Sequence, residues 1–88
     1  MITEDYLRLA TAAVDGPRAD AYGAIEESFS RTAAIWSAIL GVEVSPRQVA
    51  LCMVGLKLSR AAPIHHPDSC VDGAAYFAIA GELGDRHD

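Results

Sequence analysis

Residues 49–76 read VALCMVGLKLSRAAPIHHPDSCVDGAAY, and the fold is decided there. The first part is an apolar run with helical spacing that carries only two charges, Lys57 and Arg60. Pro63 stops it, because proline lacks the backbone N–H and clashes with the preceding turn. Pro67 can then open a second helix at its first position, with His66 as an imperfect cap. The result is a helical hairpin. Asp68 and Asp72 are four residues apart, so both carboxylates leave one face of the second helix, and Tyr76 continues the row. Two cations and two carboxylates therefore stand on otherwise hydrophobic elements.

Working outward, Ser45-Pro46-Arg47-Gln48 has serine at N-cap, proline at N1 and glutamine at N3, the pattern of a capping box. The hairpin's first helix starts at Pro46. It has almost no polar face, so it is central, buried on several sides, or shared across an oligomer interface. Gly55 in its middle costs roughly 1 kcal/mol against alanine, which a close helix crossing would justify. Gly73, Ala74, Ala78 and Gly81 likewise allow close approach in the last helix, which runs from about Pro67 to Leu83. Gly84 is expected to end that helix, and residues 85–88 to fray.

Upstream, Ile25, Phe29, Ala33, Trp36 and Leu40 recur every three or four residues, predicting a helix over about 24–40, with Gly41 as its C′ residue. Thr3 is a candidate cap for a first helix that Gly16-Pro17 ends. Residues 16–23 form a connector. The expected architecture is all-α: one four-helix, bundle-like domain over residues 1–88.

A chain of 88 residues buries only about 60% of its unfolded surface and is marginal alone. Cys52 and Cys70 fall in apolar helical patterns without metal-ligand spacing, so they read as small core residues. With 51% hydrophobic residues, the expected remedy is a homo-oligomer. The net charge of −5 and the lack of a basic stripe argue against nucleic-acid partners. No apolar run approaches the ~20 residues that span a bilayer, and no signal-peptide pattern opens the chain. The expected setting is cytoplasmic.

The candidate chemistry follows from the charges. Carboxylates on neighbouring antiparallel helices are how bundles build metal sites. Magnesium takes few carboxylates and completes its shell with water and substrate phosphates. Asp68, Asp72 and Glu27 are thus candidate Mg²⁺ ligands. Lys57 and Arg60 share a helix face and either snorkel to its end or bind phosphate. Arg31, Tyr22 and Tyr76 are further candidate ligand contacts. Arg31 also stands four residues beyond Glu27 and can pair with it.

The run YGAIEESFSRTAAIWSAILGVEVSPRQVALCMVGLKLSRAA, followed by HHPDSCVDGAAYFAIAGEL, resembles a family of small proteins common in bacteriophages and prophages. The shared positions are Tyr22, Gly23, Phe29, Arg31, Ala33, Trp36, Leu56, Lys57, Arg60, Asp68, Ser69, Asp72 and Tyr76. The chain departs at Ser28, where that family tends to have asparagine, and at Ala75, where it has glycine. The family's shape is similar to the all-α nucleotide pyrophosphohydrolases of the MazG type, which are oligomeric and hold Mg²⁺ with paired acidic motifs. The resemblance implies a helical bundle, a nucleotide or nucleotide-derived partner and the cytoplasm of a host bacterium. The paired acidic signature is absent here. Three functions stand open: a pyrophosphohydrolase-related nucleotide-binding protein, a non-catalytic sponge for a nucleotide signal of host defence, and a structural module whose charges pair internally.

Overall fold

The computed structural model describes residues 1–15 and 24–87. These form four helices and no strand: α1 (Thr3–Asp15), α2 (Ile25–Leu40), α3 (Pro46–Ala61) and α4 (Pro67–His87). The five-residue link between α3 and α4 makes them an antiparallel hairpin. Their contact is the widest in the molecule; α1 packs on α4, and α2 on α3.

Local chemistry fixes the helix ends. The Gln48 N–H donates to Ser45 Oγ at 3.1 Å, and the Ser45 N–H donates to Gln48 Oε1 at 2.9 Å. The expected capping box is present. Gly41 closes α2 with φ 72°, in the left-handed region that glycine enters without steric cost. Its N–H donates to the Ser37 carbonyl at 2.9 Å. Ser37 has a second task. The Val44 N–H donates to its hydroxyl at 2.8 Å, which folds the link between α2 and α3 back onto α2. At α1, Thr3 is the first helical residue rather than the cap. Asp5 reaches back instead and accepts the Ile2 N–H at 2.8 Å.

The main core gathers Phe29 and Ala33 from α2, Val49 and Ala50 from α3, and Tyr76, Ile79, Ala80 and Leu83 from α4. A smaller cluster of Ala10, Val71 and Ala75 seats α1. Phe29 and Tyr76 meet edge to face, their centroids 6.3 Å apart, a favourable arrangement for aromatic quadrupoles.

Three expectations fail for physical reasons. Gly84 does not end α4, which continues to His87. Buried Leu83 anchors the last turns, and Arg86 bonds Glu26 at 2.9 Å and reaches Glu82 at 3.5 Å. The hydrogen bond that Arg86 donates to Glu26, followed by the Glu82 charge, raises the affinity of this guanidinium for its proton. Packing and ion pairing thus outweigh the ~1 kcal/mol cost of a helical glycine. Gly55 marks no close crossing among the described residues, since a Cβ there would meet none of them within 4 Å. Cys52 and Cys70 are free and exposed rather than core residues. Cys52 and Gly55 share one cause: α3 buries only Val49 and Ala50 and leaves the side with Cys52 and Gly55 to solvent.

Candidate functional site

The candidates read from the sequence converge only partly, and they do so at the linked end of the hairpin, which a groove between the two helices leaves open to solvent. Lys57, in the fourth turn of α3, extends across to Asp72 on α4, with Nζ and Oδ2 3.1 Å apart. The lysine side chain is 15% exposed and the carboxylate 30%. The helices pack closely here: a Cβ on Gly73 would lie in ordinary van der Waals contact with Lys57 Cβ, at 3.7 Å. Arg60 sits exposed in the last turn of α3, where a cation complements the helix dipole. Asp68 is exposed in the first turn of α4, where a carboxylate does the same. No ion pair links Arg60 to Asp68 among the described residues.

Beside the Lys57–Asp72 pair lies an open groove of ≈ 320 Å³ between α3 and α4. Val54, Leu58 and Ala61 form one wall, and Cys70, Gly73, Ala74 and Phe77 the other. Leu58 and Phe77 are 64% and 62% exposed. The groove is therefore apolar along its length, with a cation and a carboxylate at its edge. Ser69 also lines it and is only 3% exposed. Its hydroxyl lies 2.6 Å from His66 Nδ1, and its N–H donates to the same nitrogen at 3.2 Å. His66 is thus the cap of α4, satisfying one of the helix's free N–H groups. Ser69 and Phe77 were not singled out as candidates by sequence; the shared Asp68-Ser69 step was the available signal for the first.

The remaining candidates lie elsewhere. Among the described residues, no group of three or more His, Cys, Asp or Glu side chains is placed to hold a metal ion. The expected Mg²⁺ set of Asp68, Asp72 and Glu27 is therefore not assembled within the chain. Asp72 is engaged by Lys57, and Glu27 stands exposed in the first turn of α2. Arg31 is exposed on α2. Tyr76, 7% exposed, is a core ring rather than a groove contact. The row from Asp68 explains this. Four residues advance a helix by about 40° beyond a full turn, so the row runs from the rim at Asp68, through half-exposed Asp72, into the core at Tyr76. Tyr22 lies outside the described residues.

The molecule is thus a small all-α domain whose helical hairpin ends in a charged, half-open mouth. The chain belongs to the DUF6378 family, a domain of unknown function, whose model matches residues 5–84. Over 79 residues it is 37% identical to the Gene 55 protein of Mycobacterium phage L5, covering 88% of this chain and 51% of that protein. The chain therefore spans about half the length of this curated relative. No solved structure matches it.

Proposed function

We propose that this chain is a phage-type nucleotide-binding module, related to the MazG-like pyrophosphohydrolases in its helical architecture and acting in the cytoplasm of the host bacterium. The observation that carries this reading is Lys57, a cation held 3.1 Å from Asp72 at the edge of an apolar groove. A nucleotide needs both features together. Its phosphates call for cations, and Lys57 with exposed Arg60 supplies them. Its base calls for an apolar, preferably aromatic surface, and Phe77 supplies that. Magnesium enters this reading with the nucleotide's own phosphates, with Asp68 as the accessible carboxylate. Among the described residues the carboxylates do not assemble into a full ligand set, so the reading is binding rather than hydrolysis. Sequestration of a nucleotide-derived signal is the same chemistry with a different ligand.

The Lys57–Asp72 pair also favours a second reading, in which the charges serve only each other and the domain is a structural module. Titration calorimetry with nucleoside triphosphates, with and without Mg²⁺, separates the two. Binding that Lys57→Met abolishes while the helical circular dichroism persists supports the nucleotide site. No heat with any nucleotide, and no thermal shift, leaves the structural module. Pyrophosphate release on incubation would go further and restore an enzymatic assignment.

A further inference from the structure

Lys57 lines the groove between α3 and α4, and Asp72 does not. The carboxylate meets the lysine from α4 instead, with Oδ2 3.1 Å from Nζ. Arg60, exposed about one turn further along α3, has no ion-pair partner among the described residues. The cation that lines the groove is thus one whose charge is already matched. A partly exposed pair of this kind contributes little to stability. Its larger consequence falls on any anion that approaches Lys57. Such an anion must take the ammonium from Asp72 or share it. In either case a second negative charge stands close by, within the range of about 4–6 Å over which like charges oppose each other most.

Two roles for Asp72 predict opposite signs. As a metal ligand, its carboxylate would add to the affinity for a magnesium-bound nucleotide. As a rival of the phosphates for Lys57, it would subtract from the affinity for any nucleotide. The geometry favours the second role. One oxygen of Asp72 is engaged by Lys57. Among the described residues, Asp72 joins no group of three or more potential metal ligands.

We infer that Asp72 is a counter-ion that competes with phosphate for Lys57 and holds down the groove's affinity for nucleotides. This rests on the nucleotide reading of the groove and adds to it the residue that sets the strength of binding. Asp72 acts through Lys57, so it is a positioning residue that touches no ligand.

Titration calorimetry with ATP, first in EDTA and then with Mg²⁺, tests it on the wild-type chain and on Asp72→Asn. Asparagine keeps the shape of the side chain and removes its charge. In EDTA, the Kd of Asp72→Asn should fall by about three- to tenfold, the scale of one partly exposed ion pair. Asp72→Ala, with a better helix-forming residue, should shift it the same way. Both variants should keep the helical circular dichroism. Adding Lys57→Met to Asp72→Asn should remove the gain, because the effect runs through the lysine. Glu43→Gln removes an equal charge far from the groove and should leave the Kd unchanged. An equal gain from Glu43→Gln would reduce the effect to net charge and overturn the inference. Wild-type binding that Asp72→Asn leaves unchanged or weakens in EDTA would overturn it while the nucleotide reading stands. Weakening seen only with Mg²⁺ would make Asp72 a metal ligand and overturn it too. If neither chain binds ATP, the nucleotide reading fails and the inference fails with it.

Discussion

Where α3 begins and α4 ends, the hairpin closes on Val49, Ala50, Ile79, Ala80 and Leu83. Where α3 ends and α4 begins, it opens on Lys57, Arg60, Asp68 and Asp72. The closed end receives α2 through Phe29 and Ala33, and Glu26 on α2 grips Arg86 on α4. At the open end the helices hold a groove between them, and its largest side chains, Leu58 and Phe77, face solvent. Two helices thus divide their work along their length. The main core gathers at one end, and the Lys57–Asp72 pair with its half-open groove at the other. In a domain this small, net stability is only a few kcal/mol, so the closed end must supply most of it.

That division is most easily broken at Leu83, which is fully buried. Leu83→Ala should cost about 2–5 kcal/mol through lost burial and the cavity left behind. The matching change at the open end, Leu58→Ala, should stay within about 0.5 kcal/mol, as for exposed positions generally. Urea denaturation of both variants checks this, and equal losses would erase the distinction between the ends. A smaller effect is expected at Ser45, whose hydroxyl caps α3 beside the closed end. Ser45→Ala should cost about 1 kcal/mol, read as a lowered denaturation midpoint.

Lys57→Met sharpens the comparison from the other side. Its pair with Asp72 is partly exposed, and such pairs are worth about 0–1 kcal/mol. The stability change should fall in that range, with loss of nucleotide binding as the main effect under the proposed function. A loss well above 1 kcal/mol would make the pair a structural element and move the open end into the same class as the closed one.

Much of this was legible in the sequence where the signal was local. Ser45 and Gln48, Gly41, Pro63 and Pro67 each act within one turn of themselves, and the end of α2, both ends of α3 and the start of α4 follow from them. What was not legible depends on neighbours distant in sequence. Glu26 and Arg86 are 60 residues apart, and nothing in either helix alone announces the contact that carries α4 past Gly84. Ser37 reads as an outward polar residue until the link folds back and brings the Val44 N–H to it. At the site, the spacing of Asp68 and Asp72 gave their shared face but not the rotation that takes Tyr76 into the core. Internal pairing of Lys57 with Asp72 and of Arg60 with Asp68 was one reading the charges left open, and the first of these pairs forms; the spacing gave no indication that Glu27 would stay apart. Cys52 and Cys70 illustrate the same point: a pattern shows that a helix is apolar, not which of its sides finds a partner.

The smallest predicted effect distinguishes two glycines within α4 itself. Gly81 is exposed, and a Cβ there would meet nothing within 4 Å. Gly81→Ala should therefore stabilise the fold by about 0.4–1 kcal/mol, chiefly by restricting the unfolded chain. Gly84 has the same intrinsic preference, but a Cβ there would lie 3.2 Å from Arg47 Cδ and 3.4 Å from Arg47 Nε. These atoms lie toward the end of a flexible side chain, so Arg47 can move aside at some cost. Gly84→Ala should then gain less than Gly81→Ala in parallel thermal melts. Equal gains would mean that α3 and α4 are not in firm contact at the closed end, and the division of labour along the hairpin would lose its structural basis.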